Sequence, residues 1–189
     1  MMRHCRETLE KRLSDWVIVP PKQSILLDCA RDTAGMVMAY YNDGQEFLSC
    51  GDHINALASF SYALGWMDAA ICLGLFSSQD CGIPIATALE QNPGQDRAAL
   101  HEKTTRYHSI LSRALGSLEP APELDTCLSK AGLRFLLIGN VFYDYGSGCE
   151  GAGNDDAALA AYSYGFGWLD AGIRTGLLKV TMNRELFTV

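Results

Sequence analysis

The feature that most constrains the fold is an internal repeat. Residues 51–76, GDHINALASFSYALGWMDAAICLGLF, align without a gap on residues 153–178, GNDDAALAAYSYGFGWLDAGIRTGLL, with 13 of 26 positions identical. The same offset of 102 holds upstream, where Tyr41 aligns with Tyr143. A repeat of this length indicates two copies of one structural unit rather than a short solenoid period. The sequence therefore predicts a tandem duplication.

The segment between the copies has the composition of a linker. Residues 77–96, SSQDCGIPIATALEQNPGQD, are mostly polar or small and contain two prolines and two glycines. We place the boundary near residue 92. The first unit then covers residues 1–92 and the second covers residues 93–189.

Each copy has the pattern of three helices. The first is amphipathic: apolar residues recur at steps of three and four in residues 104–117, TTRYHSILSRALGS, and its equivalent covers residues 3–16. Proline-bearing segments end both, because proline removes a donor and disfavours helix just before it. A long second helix follows, over about residues 23–50 and 122–145.

The turn into the third helix carries its own signals. Gly51 and Gly153 stand where a helix ends in the left-handed conformation. Asp52 and Asn154 follow directly and are typical N-cap residues. We therefore expect the third helix of each copy to begin at the next residue.

The third helix is apolar over a length that could cross a bilayer. Residues 56–76 comprise 21 residues with one charge, Asp68. A central aspartate costs about 3 kcal/mol to insert, and the second copy keeps Asp170 and adds Arg174. We therefore expect no membrane span, and burial of the third helices of the two copies, or of two protomers, against each other. The predicted fold class is all-α, two three-helix units forming a bundle about a pseudo-twofold axis.

Small residues line one side of each third helix at steps of four. They are Ser61, Gly65 and Ala69, and their equivalents Ser163, Gly167 and Ala171. Such a strip lets a neighbouring backbone approach closely. Tight packing and a ligand-shaped notch both remain open as explanations.

A repeated set of polar residues is the candidate ligand or interface cluster. It consists of Tyr41, Tyr62, Trp66, Asp68, Tyr143, Tyr164, Trp168, Asp170 and Arg174. Asp170 could pair with Arg174 at i+4, whereas Cys72 stands at the matching position beside Asp68, which needs another partner. One interpretation is interhelical hydrogen bonding. The other is a carboxylate pair for acid–base chemistry or for holding a cation.

Residues 146–151 fit G-x-G-x-x-G but lack the context of a dinucleotide turn. That turn needs a strand before the glycines, and the first copy has the helix-compatible GQEFLSCG at the same positions. Asp155, Asp156 and Glu150 would also repel a pyrophosphate. We expect no cofactor, and an early end of this helix in a flexible glycine turn.

Other function classes find little support in the sequence. A net charge of -7 without a basic stripe argues against nucleic acid. Seven scattered cysteines without C-x-x-C spacing indicate reduced thiols, and the charged N-terminus lacks a secretory segment, so we expect a cytoplasmic protein. His101 and His108 are expected on an exposed helix side, and no metal site or catalytic motif is recognisable.

The third-helix pattern G-[DN]-x-x-x-A-L-A-x-x-S-Y-x-x-G-W-x-D-A-x-x-x-x-G, present in both copies, resembles the archaeal domain of unknown function family 357. The resemblance implies a small helical bundle and supplies no catalytic residues. The first copy departs from it at Cys72, where the pattern favours the arginine seen at Arg174, and the second departs in its glycine-rich segment.

These observations leave two hypotheses for function. The excess of apolar third-helix surface favours a non-enzymatic module that binds a partner protein or forms a homodimer. The alternative is a small-molecule-binding protein or an enzyme, with a cleft between the copies that uses Asp68 and Asp170.

Overall fold

A computed structural model gives the fold, and it describes residues 1–78 and 96–188. Each copy contains three helices and two short strands in the same order. The first copy consists of α1 Met2–Asp15, β1 Val17–Ile18, α2 Leu26–Ser49, α3 His53–Cys72 and β2 Phe76–Ser77. The second consists of α4 Arg97–Leu115, β3 Leu118–Pro120, α5 Cys127–Gly151, α6 Asp155–Arg174 and β4 Leu178–Val180, followed by the 3-10 turn Arg184–Leu186. The predicted helical fold with two three-helix units is confirmed, whereas the boundary near residue 92 lies outside the described residues.

The short strands were not predicted. In each copy the segment after the first helix pairs antiparallel with the segment after the third, so that Val17 lies opposite Ser77 and Leu118 opposite Val180. The proline-bearing breaks that end the first helices supply these strands, because extended backbone is what proline and the residue before it prefer. Each pair ties the end of the first helix to the end of the third.

The turns into the third helices are as predicted. Gly51 and Gly153 have φ of 77° and 74°, in the left-handed region that glycine tolerates best. The Asp52 side chain accepts a hydrogen bond from the Asn55 amide at 3.0 Å, and the Asn154 side chain accepts one from the Ala157 amide at 3.2 Å. Both third helices therefore begin at a satisfied N-cap.

The glycine-rich segment of the second copy is helical, and the expected early end of that helix is wrong. α5 continues through residues 146–151 as part of its 25 residues. A Cβ at Gly146 would fall on the ring of Tyr162, just as one at Gly44 would fall on the ring of Phe60. Each of these glycines leaves space for an aromatic ring of the third helix. This packing accounts for a glycine at both positions, and no turn is needed to explain it. The residues before the glycines are also helical, so the context of a dinucleotide turn is absent here.

The third helices cross at the centre of the molecule. α3 and α6 are buried over most of their length, with Trp66 fully buried and Trp168 4% exposed. A Cβ added to Gly65 would fall on the backbone oxygen of Tyr164, and one added to Gly167 would fall 2.5 Å from the backbone oxygen of Tyr62. The predicted close approach is confirmed, and the two glycines mark the pseudo-twofold axis. Of the helices over residues 1–78 and 96–188, none has the length and hydropathy that a bilayer crossing requires.

Candidate functional site

Two tyrosine–aspartate pairs join the repeats across the pseudo-twofold axis. Tyr164 on α6 donates a hydrogen bond to Asp68 on α3 at 2.7 Å, and Tyr62 on α3 donates one to Asp170 on α6. Burial raises the pKa of both phenols well above the ordinary value, and the adjacent carboxylates raise it further. Both hydroxyls therefore keep their protons and act as donors, so four of the predicted residues form two reciprocal interhelical contacts.

Asp68 has the partner from elsewhere in the fold that the sequence required. Arg12 of α1, which is fully buried, donates a hydrogen bond to Asp68 and forms an ion pair with it. The aligned residue in the second copy is Ala114. Arg12 lies three residues after the buried Leu9, on the apolar side of α1. A charged residue on the otherwise apolar side of α1 was the sequence signal that could have identified Arg12 as the partner of Asp68.

Asp170 has a different environment from Asp68. Its Oδ2 accepts hydrogen bonds from Tyr62 and, at 2.9 Å, from Thr188 near the C-terminus, and its side chain is fully buried. Burial raises the pKa of Asp170 to about 6, although the hydroxyl donors oppose this shift. The predicted pairing with Arg174 is wrong, because Arg174 extends outward to Asp32 on α2, with Nη2 and Oδ2 3.2 Å apart.

A cavity of about 350 Å³ lies between the two copies, beside Tyr62. α2 and α3 of the first copy, α4 and α6 of the second, and the C-terminal segment contribute to it. The polar side chains of this inter-repeat cavity are Tyr40, Ser59, Tyr62, Arg106, Tyr107 and Thr188, and its apolar walls include Ala58, Ile110, Tyr162, Phe166 and Leu186. Of the nine predicted residues, Tyr62 alone lines it, and Asp170 lies directly behind the Tyr62 hydroxyl.

The pseudo-symmetric position, beside Tyr164, is closed. Only about 20 Å³ remains there, and the substitutions between the copies explain the difference. Three residues that line the closed site differ from the aligned residues of the inter-repeat cavity. They are Phe142, aligned with Tyr40 of the cavity; Leu64, aligned with Phe166; and Cys5, aligned with Tyr107. Met1 also lines this closed counterpart, whereas its aligned residue, Lys103, donates a hydrogen bond to Asn55. One of two equivalent sites has thus become apolar and filled, and the other polar and open.

The inter-repeat cavity offers hydroxyl groups and one cation. The rings of Tyr40 and Tyr62 are in edge contact, with centroids 4.3 Å apart. Burial raises the pKa of Tyr40 and of Tyr107, so these phenols are protonated at neutral pH. Arg106 lies at the edge with a side chain 57% exposed, 3.8 Å from Glu102. No group of three or more His, Cys, Asp or Glu side chains within the described residues is placed to hold a metal ion.

Comparison with known families gives a match over both copies. The family described as a protein of unknown function, DUF357, matches residues 6–76 and 106–178. The chain belongs to the DUF357 family. The two matched segments correspond to the two copies of the duplication, so the sequence resemblance is confirmed. Searches among curated proteins and among solved structures found no match.

The two tryptophans, Tyr41 and Tyr143 also lie outside the inter-repeat cavity. The two tyrosines are equivalent by the duplication, but they have different hydrogen-bond partners in the two DUF357 copies. The two tryptophans pack in the core of the bundle. Tyr41 contacts Glu10 and Gln45, with hydroxyl distances of 3.4 Å and 2.8 Å. Tyr143 instead has its hydroxyl 2.8 Å from Nε2 of His108.

His108 is not the solvated surface residue expected from the sequence. Its ring stacks on Tyr162 with centroids 5.3 Å apart, and its Nδ1 lies 3.1 Å from Glu150. The first DUF357 copy has Phe60 and Leu48 at the positions of Tyr162 and Glu150. The appearance of two polar residues at positions that are apolar in the other copy was the sequence signal for this cluster.

Proposed function

We propose that the protein binds a small molecule in the inter-repeat cavity. The observation that carries the proposal is the difference between two equivalent positions, one closed to about 20 Å³ and the other open at about 350 Å³. A volume of this size is within the range of small-ligand pockets, which begins at roughly 300 Å³. Packing alone would favour filling both positions, because interiors are normally close-packed. The open cavity with polar walls is therefore best explained by a ligand.

The walls favour an aromatic acid that also carries a hydroxyl or amine donor. Aromatic side chains on several sides suit a flat apolar body. The hydroxyls of Tyr62 and Thr188 both donate to Asp170, so their lone pairs are left to accept a hydrogen bond from the ligand. Arg106 at the edge supplies a cation for a carboxylate.

Isothermal titration calorimetry with 4-hydroxyphenylacetate and its neutral amide tests this ligand class. The acid is expected to bind more tightly than the amide, and Arg106→Gln should remove the difference between them. Arg31→Gln, on the exposed face of α2, is the matched control and should leave both affinities unchanged. The proposal for this ligand class would be refuted if neither compound binds, or if the two compounds bind with equal affinities that Arg106→Gln does not change.

Binding of a protein partner through the third helices gains no support from the structure. That hypothesis rested on apolar surface in need of cover, and α3 and α6 bury each other within one chain. Acid–base catalysis by Asp68 and Asp170 gains none either, because neither carboxylate lines the cavity and Asp68 is held by Arg12 and Tyr164. We therefore favour a non-enzymatic binding role, in the cytoplasm and without nucleic acid, in keeping with the net charge of -7.

A further inference from the structure

A second cavity, of about 350 Å³, lies between the end of α3 and the start of α5, where the two copies also meet. Its walls combine two thiols with two cations, and these four residues define the α3–α5 cavity: Cys72, Cys127, Lys130 and Arg134. Among the described residues, none lines both this cavity and the inter-repeat cavity. The volume is within the range of small-ligand pockets, which begins at roughly 300 Å³. The α3–α5 cavity is therefore a second place where a small molecule could be held.

The two cations of the α3–α5 cavity are not balanced by an anion in the part of the chain that the structure describes. No carboxylate of that part lines the cavity. Lys130 and Arg134 are both exposed, and neither forms an ion pair with another described residue. A ligand that carries carboxylates would supply the missing negative charge, because charge-assisted hydrogen bonds to Lys and Arg are the strong ones.

The duplication shows that this arrangement is not required by the fold. At the equivalent position the end of α6 meets the start of α2, where Nη2 of Arg174 lies 3.2 Å from Oδ2 of Asp32. The aligned residues at the α3–α5 cavity are Cys72 and Arg134. An ion pair that joins the two copies at one position is thus replaced at the other by a thiol and a cation without a counter-charge.

The thiol of Cys127 belongs to the same side of α5 as the two cations. Cys127, Lys130 and Arg134 stand at positions i, i+3 and i+7 of this helix. Lys130 replaces an acidic residue of the first copy, Asp28, so both cations stand where the first copy has aspartate. Cys72 is instead the last residue of α3, and the free carbonyl groups at a helix C-terminus disfavour negative charge. An anionic reagent held by the two cations is therefore better placed at Cys127 than at Cys72.

We propose that Cys127 is a site of thiol–disulfide exchange with small disulfides that carry carboxylates, which Lys130 and Arg134 hold in the α3–α5 cavity. Cys127 is a free and exposed thiol. Its sulfur, as the thiolate, attacks one sulfur of the reagent, so that a new S–S bond forms at Cys127 while the S–S bond of the reagent breaks. The departing half leaves as a thiolate and takes up the proton that Cys127 lost. The reagent is thereby the oxidant, and the product is a mixed disulfide at Cys127.

Reaction of the full chain with oxidised glutathione and with cystamine tests the proposal. Both compounds are small disulfides, but oxidised glutathione carries carboxylates whereas cystamine carries only amines. Cys50 is the internal control, because it is also free and exposed and lies outside the α3–α5 cavity. Peptide mass spectrometry after short reaction times gives the rate of mixed-disulfide formation at each cysteine. With oxidised glutathione we expect Cys127 to react several-fold faster than Cys50, and with cystamine we expect it to react no faster.

A charge variant tests the role of the two cations separately. The double variant Lys130→Gln/Arg134→Gln should lower the ratio of the two rates with oxidised glutathione to the ratio that cystamine gives. The matched control is Lys22→Gln/Arg31→Gln, which removes the same number of exposed positive charges from the first copy and should leave the ratio unchanged.

Three results would overturn the proposal. One is that Cys127 reacts no faster than Cys50 with oxidised glutathione. Another is that its preference persists with cystamine or in the double variant of the two cations. The third is that Cys72 forms the mixed disulfide in place of Cys127.

Discussion

Tyr62 donates its hydroxyl proton to Asp170, and Tyr164 donates its hydroxyl proton to Asp68, so that the tyrosine of each repeat binds the aspartate of the other. The two contacts are equivalent by the duplication but differ in what surrounds them. Arg12 neutralises Asp68, whereas Asp170 accepts from the hydroxyls of Tyr62 and Thr188 and from the Thr188 backbone, and no cation among the described residues pairs with it. The same residue type has thus become an ion-pair partner in one repeat and a proton-binding group in the other.

Removal of the two carboxylate charges is expected to have opposite effects on stability. Asp68→Asn removes the carboxylate charge from the buried ion pair with Arg12, and breaking a buried pair in this way costs about 3–5 kcal/mol. Asp170→Asn removes a buried charge that no cation among the described residues balances, while the amide oxygen still accepts from Tyr62 and Thr188. Urea unfolding at pH 8 should therefore show a large decrease in the free energy of unfolding for Asp68→Asn and an increase for Asp170→Asn. A loss of similar size in both variants would contradict the difference between the two sites.

The pH dependence of stability should contain a contribution from Asp170. Its pKa rises from 3.8 in an exposed carboxyl to about 6 in the folded chain, so the folded state binds the proton more tightly. The resulting stabilisation is fully present below about pH 4 and is lost as the pH rises to about 6, with a total of about 3 kcal/mol. Unfolding free energies of wild type and Asp170→Asn, measured from pH 4 to 8, should diverge over this interval. Parallel curves would show that Asp170 has an ordinary pKa.

The crossing of α3 and α6 should tolerate no side chain at its centre. Gly65→Ala and Gly167→Ala each place a methyl group against the backbone of the other helix, and overpacking of this kind costs about 1–3 kcal/mol. Gly35→Ala is the matched control, because that helical position has open space around it. It should raise stability by about 0.5–1 kcal/mol through helix propensity. Thermal unfolding of the three variants measures these changes in stability. A more stable Gly65→Ala variant would mean that the helices do not cross there.

The sequence predicted the features that depend on short-range spacing and on the repeat. The N-caps Asp52 and Asn154, and the glycine crossing, follow from residue type and from helical periodicity alone. The pairing of the third helices follows from their apolar length, because surface of that extent has to be covered. These predictions needed no knowledge of individual side-chain contacts between distant segments.

Specific side-chain contacts between distant segments were missed. Asp170 and Arg174 are correctly spaced for an i+4 pair, but Arg174 extends to Asp32, a residue 142 positions earlier in the chain. Arg12 and Thr188 reach the two aspartates from opposite ends of the chain, and nothing local to either aspartate indicates them. The inter-repeat cavity depends on the combined volume of side chains from five segments, which a pairwise comparison of the repeats does not reveal.

The divergence of the two equivalent sites can be tested without any ligand. Ala58 lines the inter-repeat cavity, and Ala160, its equivalent, lines the closed counterpart. The measurement is the free energy of unfolding of Ala58→Phe and of Ala160→Phe, each relative to wild type. We expect Ala58→Phe to cost little, because the ring enters open space, and Ala160→Phe to cost about 1–3 kcal/mol more through overpacking. Equal losses in the two variants would contradict the central claim that one site is open and the other filled.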